Sequence, residues 1–270
     1  MSTDYTLEGG VQVTRANGIA HIEFHHPQSN SLPSRVLAAL AQAITDEGTH
    51  PDSRVIILRS AGDRVFCGGA SFDELATIRT EEEGLHFFGG FASVINALRT
   101  CPKLTIGRVQ GKAVGGGVGL ASAVDYCLAT QHAAVKLSEL AVGIGPFVVG
   151  PAVARKMGLS AMSQLAIDAT QFKSAEWAQQ QGLYAEVYPN ADALDAGVER
   201  LASTLTQQSA AAQTALKKVL WEGTENWDQL LAERAAISGA LVRTPESQAA
   251  IQAIHQSLST KKGCFFAGPF

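Results

Sequence analysis

Hydrophobic and polar positions alternate near the start of the chain and recur at helical spacing further along. The first two alternating runs are separated by Asn17-Gly18, a dipeptide that predicts a β-hairpin. The predicted strands cover residues 11–14, 19–24, 55–58, 104–109, 124–129 and 134–137. The predicted helices cover residues 36–44 and 81–98, where apolar side chains repeat every three to four positions. Because strands and helices take turns along the chain, the pattern predicts an α/β fold.

The pattern changes at about Ser160. From there alanine, glutamine and leucine dominate, glycine becomes sparse, and helical spacing persists to about Leu258. This predicts an all-helical C-terminal region whose apolar stripes pack on the α/β part or on another subunit. We therefore expect an α/β core over residues 1–200 and a helical region over residues 201–270.

Composition and charge narrow the class of protein. Of the 270 residues, 46% are hydrophobic and 17% are charged, and the formal net charge is −4, as in an ordinary globular chain. This charge does not favour nucleic acid or an anionic membrane as a partner. No apolar run is long enough to span a membrane, and residues 1–10 lack the apolar core of a secretory signal. A cytoplasmic location is therefore expected.

The cysteines and histidines do not indicate a metal site. The chain has no C-x-x-C pair, no zinc-ligand spacing and no H-x-x-x-H pair with suitable partners. We expect the thiols to be reduced, in a reducing compartment. The four cysteines are Cys67, Cys101, Cys127 and Cys264.

Residues 110–120 form a glycine-rich turn between a predicted strand and an apolar, helical run. Backbone N–H groups at such a turn bind phosphate or stabilise an oxyanion, although a lone glycine cluster often only packs. A dinucleotide fingerprint needs glycine where Leu120 stands, and a P-loop needs Ser or Thr where Ala113 stands. The remaining interpretations of this turn are an oxyanion hole and a turn that binds a small ligand. Residues 65–75 form a second glycine loop after a strand, and each loop could supply one N–H to a single carbonyl oxygen.

Five segments, taken in order, resemble motifs of the crotonase (enoyl-CoA hydratase/isomerase) family. They are residues 26–32 (HPQSNSL), 66–71 (FCGGAS), 109–119 (VQGKAVGGGVG), 137–146 (LSELAVGIGP) and 182–187 (GLYAEV). The resemblance covers roughly residues 11–270. It implies a core of repeated ββα turns forming a spiral, with a helical C-terminal region that makes the contacts of a homotrimer or a dimer of trimers.

The resemblance also assigns the site. It implies backbone oxyanion donors at Ala70 and Gly116, and an acid–base carboxyl at Glu139, whose apolar surroundings predict partial burial and a raised pKa. Asp125, in an apolar run, is expected to be structural, with a pocket acid as the alternative. The implied substrate-binding residues are His26, Cys67, Gly68, Ala70, Phe72, Lys112, Gly115, Gly116, Gly119, Pro146 and Phe147. Candidate cations for the coenzyme A phosphates are Arg35, Arg64, Lys112, Lys261 and Lys262.

The chain departs from the family pattern in several places. The hydratases of the family use two glutamates around a water, and Gly119 stands at the first of these positions. Ser71 replaces an acid and Ser138 replaces a proline, while Phe147 and Val149 replace glycines, so the pocket should differ from that of a common hydratase.

The resemblance implies an enzyme that acts on an enoyl-CoA thioester through an enolate, with coenzyme A as part of the substrate and no other cofactor. A single carboxylate favours double-bond isomerisation, because one group can remove a proton at one carbon and return it at another. Hydration of a 2-enoyl thioester, with the water held by Glu139 and backbone, is the alternative, and the family also contains decarboxylases and dehydratases. An alternative of another class is a non-catalytic homologue that binds acyl-CoA or RNA, against which the retained Glu139 argues.

Overall fold

The computed structural model describes residues 8–265, and side chains as far as residue 256. The strands are β1 (Gly10–Ala16), β2 (Ile19–His25), β3 (Ser31–Leu32), β4 (Val55–Ser60), β5 (Val65–Cys67), β6 (Gly69–Ala70), β7 (Leu104–Val109), β8 (Lys112–Val114), β9 (Tyr126–Thr130), β10 (Val135–Lys136) and β11 (Glu186–Tyr188). The helices are α1 (Ser34–Thr49), α2 (Phe72–Leu75), α3 (Glu81–Thr100), α4 (Gly116–Ala123), α5 (Gly150–Ile167), α6 (Ala175–Gln180), α7 (Ala191–Thr206), α8 (Ala210–Leu220), α9 (Trp227–Leu241) and α10 (Pro245–Phe265). A short 3₁₀ helix covers Glu139–Val142.

A six-stranded sheet organises the molecule, in the order β1-β2-β4-β7-β9-β11. Its first pair is the predicted antiparallel hairpin, in which Asn17 and Gly18 both have positive φ (52° and 79°), as the tight turn between twisted strands requires. The remaining pairs are parallel. The strands β4 and β7 are almost wholly buried, because α7 packs on one face of the sheet and the main core on the other.

Three consecutive units of two strands and a helical turn follow the hairpin. The first strands, β4, β7 and β9, lie side by side in the main sheet, and the second strands, β5, β8 and β10, form a parallel sheet of their own in the order β10-β8-β5. Each unit repeats the path of the one before it, displaced by one strand. The α/β architecture predicted from the sequence is thus confirmed, and its units form the expected spiral.

The C-terminal region is mostly helical, but the prediction that it is helical throughout is wrong at one point. The strand β11 joins the edge of the main sheet beside β9, through pairs such as Val187 with Ala129. Three residues are too few to show an alternating pattern, and their strand conformation depends on pairing with a distant partner. A smaller difference concerns β9, which begins at Tyr126 because Val124 still caps α4.

The later helices share the core of the α/β part. Trp221, Leu231 and Ile251 are buried in the same hydrophobic cluster as the strands and α3. The crossing of α3 and α9 is very close, since a Cβ added to Gly84 would lie 2.7 Å from the Cα of Gly239. A division of the chain at residue 200 stays a prediction.

Asp125 ties α8 to the main sheet. Its Oδ2 accepts hydrogen bonds from Lys217 Nζ (2.6 Å) and the Thr105 amide (2.7 Å), and its Oδ1 accepts one from Trp221 Nε1 (2.8 Å). Asp125 and Lys217 are both nearly inaccessible to solvent. The expected structural role of Asp125 is therefore confirmed. Over the described residues, no helix combines the length and apolar character that crossing a membrane would need.

Candidate active site

The three repeated units bring their turns to one place. Gly69 and Ala70 follow β5, Gly115 and Gly116 follow β8, and Glu139 follows β10. The approach of these turns is close enough to demand glycine. A Cβ on Gly69 would lie 2.8 Å from the Val114 carbonyl oxygen, and one on Gly115 would lie 2.9 Å from Glu139 Oε1. Both glycines also have positive φ, at 89° and 52°.

The second turn presents backbone donors. Gly116 is the first residue of α4, and the first N–H groups of a helix have no carbonyl partner within that helix. The position where a Cβ of Gly69 would stand is 3.6 Å from the Gly116 nitrogen, so the loop that carries Ala70 lies beside this donor. The arrangement suits an anionic oxygen held between the two turns.

Glu139 is the titratable group at the centre of the site. Some of the residue remains accessible, but its Oε2 is buried and has no hydrogen-bond partner among the described residues. Burial raises the pKa of this carboxyl to about 7, and a hydrogen bond from its own backbone only partly opposes the shift. Such a group is close to half ionised near neutrality, as an acid–base catalyst requires.

The turns enclose a cavity of about 50 Å³ whose walls are mainly apolar. In the described part of the chain, the polar side chains that line it are Ser138, Glu139 and Ser238. Phe88 and Phe91 of α3 and Ser238 of α9 were not among the residues expected from the sequence. In the sequence, the two phenylalanines look like part of the apolar stripe of a core helix. The available signal for their place at the site was the glycine at position 116, because the Phe91 ring packs against it. Nothing local marks Ser238, which long-range helix packing brings to the site.

Val149 fills the space beside Gly119, the position where the family resemblance implies an acid in hydratases. A Cβ added to Gly119 would lie 2.5 Å from Val149 Cγ1 and 2.7 Å from Val149 Cβ. Val149 is itself buried and lines the cavity. Any side chain at position 119 would therefore collide with Val149 where it now stands.

The structure gathers most of the expected site residues around the cavity. Those lining it are Gly68, Ala70, Phe72, Gly115, Gly116, Glu139, Pro146 and Phe147. Those outside its lining are His26, Cys67, Lys112 and Gly119. Their assigned roles stay predictions.

The residues outside the lining have identifiable surroundings. Cys67 is fully buried, and burial raises the pKa of its thiol to about 12. Lys112 is exposed, with its ammonium 5.1 Å from the centre of the Phe172 ring, and Lys136 lies over the same ring at 4.5 Å. The side chains of Lys261 and Lys262 lie outside the described residues. Within that part of the chain, no three His, Cys, Asp or Glu side chains are grouped as metal ligands would be.

Comparison with known proteins identifies the family of this chain. The sequence model of the enoyl-CoA hydratase/isomerase family matches residues 14–264, nearly the whole chain. The chain belongs to the enoyl-CoA hydratase/isomerase family. It is therefore an enzyme of a family that acts on CoA thioesters, and the membership expected from its motifs is confirmed.

Individual relatives carry different reactions in their names. The chain is 30% identical to a carnitinyl-CoA dehydratase of Salmonella arizonae, covering 79% of this chain and 80% of that one. It is 27% identical to a peroxisomal Delta(3,5)-Delta(2,4)-dienoyl-CoA isomerase of Arabidopsis thaliana, over 80% and 82% of the two chains.

A crystal structure of an enoyl-CoA hydratase from Bacillus halodurans superposes with a TM-score of 0.83, at 23% identity over 90% of this chain and 99% of that one. The likeness shows the crotonase fold for this enoyl-CoA hydratase/isomerase family member, and the family as a whole leaves its reaction open.

Proposed function

We propose that this enzyme moves a double bond within an enoyl-CoA thioester, using Glu139 as its single acid–base group. In the ionised form, the carboxylate removes a proton from C2 of a 3-enoyl thioester. The electron pair passes into the conjugated system and places negative charge on the thioester oxygen. Glu139 then returns the same proton at C4, so the double bond moves to C2 and no atom is gained or lost.

The thioester oxygen lies between the backbone N–H groups of Ala70 and Gly116. Two such donors, aimed at the developing charge in a water-poor cavity, stabilise the enolate by several kcal/mol. The Glu139 carboxyl lies against the Gly115 backbone, next to the second donor. The base and the oxyanion donors therefore act on neighbouring atoms of one ligand.

The observation that carries the proposal is the packing of Val149 against Gly119. Hydration with two carboxylates needs an acid where Val149 fills the space. Isomerisation needs one carboxyl with a pKa near neutrality, and Glu139 has a pKa of about 7. The name of the Arabidopsis relative, a dienoyl-CoA isomerase, is consistent with this reaction.

Hydration is the second candidate because two hydroxyl groups line the cavity. Ser138 precedes Glu139, and Ser238 enters from α9. A hydroxyl can orient a water beside the carboxylate in place of a second acid. This route adds water across C2 and C3 of a 2-enoyl thioester.

A product assay separates the two reactions. The enzyme is incubated with 2-enoyl and 3-enoyl thioesters, and the products are analysed by chromatography and mass spectrometry. We expect a product of unchanged mass and altered retention, and at least about a hundredfold lower turnover in Glu139→Gln. Glu82→Gln, the same change at an exposed glutamate outside the cavity lining, serves as the matched control and should keep most of the activity. A product heavier by one water would establish hydration instead, and acyl-CoA binding without any turnover would establish a non-catalytic protein.

We also propose an assembly and a location for the enzyme, both expected from the sequence. A homotrimer or a dimer of trimers would cover the apolar side chains that α8 exposes, Leu216, Val219 and Leu220. Sedimentation equilibrium at micromolar concentration tests this, and a stable monomer would refute it. Coenzyme A as part of the substrate, without a further cofactor, and a cytoplasmic location belong to the same proposal.

A further inference from the structure

Two apolar spaces meet at Phe147. One is the cavity beside Glu139, of about 50 Å³, and the other is a surface groove of about 470 Å³. The two spaces share Gly145, Pro146 and Phe147 in their linings. Beyond these residues the groove continues over α5, along the apolar side chains of Leu159, Met162, Ala166 and Ile167.

The Phe147 ring has a defined position between them. A Cβ added to Gly145 would lie 2.5 Å from Phe147 Cζ and 2.6 Å from Cε2, so the ring lies directly on the Gly145 backbone. The Phe147 amide also donates a hydrogen bond to the Gly145 carbonyl, at 2.7 Å. This tight turn holds the ring in the wall that the cavity shares with the groove, and the next two residues, Val148 and Val149, line the cavity.

The cavity by itself has room for only a small part of an acyl chain. A space of about 50 Å³ accommodates a few water-sized groups. With the thioester carbonyl at the oxyanion donors and the reacting carbons at Glu139, only a short acyl tail remains inside. A longer tail would have to pass the place where the Phe147 ring stands.

We infer that Phe147 is the residue that limits acyl chain length, and that this enzyme takes short-chain thioesters because the ring separates the cavity from the groove. This inference rests on the proposed function, because it assumes that the acyl group lies in the cavity beside Glu139. Truncating Phe147 joins the two spaces and gives a longer tail an apolar path over α5.

The experiment measures chain-length profiles in two ways. Values of kcat/KM are determined for enoyl thioesters of four to ten carbons, and dissociation constants are measured by calorimetry for the saturated acyl-CoAs of the same lengths. The wild-type enzyme should prefer four to six carbons. Phe147→Ala should raise kcat/KM and affinity for the ten-carbon ligands at least tenfold relative to the four-carbon ones, because each buried methylene strengthens binding by about fourfold. Phe147→Leu should give a smaller gain.

A groove variant provides the matched control. Ile167 lines the groove but not the cavity, and it is 75% exposed, so Ile167→Glu should fold and keep the wild-type short-chain profile. In combination with Phe147→Ala it should remove most of the ten-carbon gain, because a charge then stands on the path of the tail. Circular dichroism and sedimentation verify that each variant keeps its fold and assembly.

The outcomes separate this inference from the proposed function. An unchanged profile in Phe147→Ala, with active enzyme, would overturn the role of Phe147 and leave the reaction standing. A shifted binding profile for the saturated ligands, with no turnover in any variant, would support the role of Phe147 and contradict the proposed reaction. A ten-carbon gain that survives Ile167→Glu would show that the tail leaves by another route and would overturn the path over α5.

Discussion

At the scale of single residues, the chemistry of the site depends on a carboxyl that is costly to ionise. Glu139 has a buried oxygen without a partner among the described residues, and its pKa lies near 7 instead of 4.5. The same burial that makes it a useful base weakens the folded state whenever it carries a charge. Function and stability therefore depend on pH in opposite directions.

The first prediction concerns this pH dependence. Since the proposed base is the carboxylate, kcat/KM should rise about tenfold per pH unit below pH 7 and level off above it. The folded-state pKa is raised, so the stabilisation from the protonated form is complete below pH 4.5 and is lost as the pH rises through 7. The loss is at most about 3–4 kcal/mol, since the two pKa values differ by about 2.5 and each tenfold change in an equilibrium constant is worth about 1.4 kcal/mol.

Urea denaturation at pH 4.5, 6 and 8 measures the stability change, with Glu139→Gln as the comparison. The amide cannot ionise, so the variant should gain stability over the wild type between pH 4.5 and 8. Parallel pH profiles for the two proteins would contradict a raised pKa at Glu139.

The second prediction concerns the Gly119 and Val149 pair. Gly119→Glu alone should destabilise the enzyme by about 1–3 kcal/mol, because its Cβ meets Val149 at 2.5 Å. Adding Val149→Gly should recover stability and make room for a second carboxylate. We expect only the double variant to gain hydration, visible by mass spectrometry as a product heavier by one water. Hydration by the single variant at full stability would show that Val149 is not the obstacle.

At the scale of elements, contacts between helices determine which side chains line the cavity. The helix α3 supplies Phe88 and Phe91, and α9 supplies Ser238. These two helices cross where Gly84 and Gly239 lie in contact. The distance between the helices, and with it the width of the cavity, depends on the absence of two side chains.

The third prediction tests this crossing with two substitutions on the same helix. Gly84→Ala should cost about 1–3 kcal/mol, because the new methyl would lie 2.7 Å from the Gly239 Cα. Gly89→Ala is the control, since a Cβ there meets nothing within 4 Å, and it should stabilise α3 by up to about 1 kcal/mol. Chemical denaturation measures both. Equal effects of the two substitutions would mean that α3 and α9 adjust freely.

At the scale of the whole molecule, one buried ion pair joins the C-terminal helices to the sheet. Asp125 immediately precedes β9, and Lys217 comes from α8, ninety-two positions later in the chain. The fourth prediction is that Lys217→Met costs about 3–5 kcal/mol, because Asp125 then carries a buried charge without its cation. The neighbouring Lys218 is exposed, and Lys218→Met should change stability by less than about 0.5 kcal/mol. Thermal and urea unfolding measure both, and similar losses would contradict a structural role for the pair.

Much of this architecture follows from local sequence, and the exceptions have a physical cause. Asn17-Gly18 predicts its hairpin because two residues there determine the turn. The strand β11 could not be predicted because its conformation comes from pairing with β9. At the site, Glu139 and the glycine turns are visible as motifs. The positions of Phe147, Val149 and Ser238 depend on packing between distant segments. The sequence therefore shows that the pocket differs from the family pattern, but it does not show which side chains fill which space.

The order β10-β8-β5 in the second sheet gives the ligand a direction. Neighbouring strands lie about 4.8 Å apart, so the ends of these three strands are evenly spaced across the site. In the proposed mechanism the carbonyl oxygen sits between Ala70, in the turn that follows β5, and Gly116, in the turn that follows β8. The reacting carbons sit between the turns that follow β8 and β10. In that mechanism the coenzyme A portion leaves on the side of β5, and the acyl tail points past β10. A thioester laid in the reverse sense would put its oxygen beside the carboxylate and its α-carbon beside the amides, where neither could react.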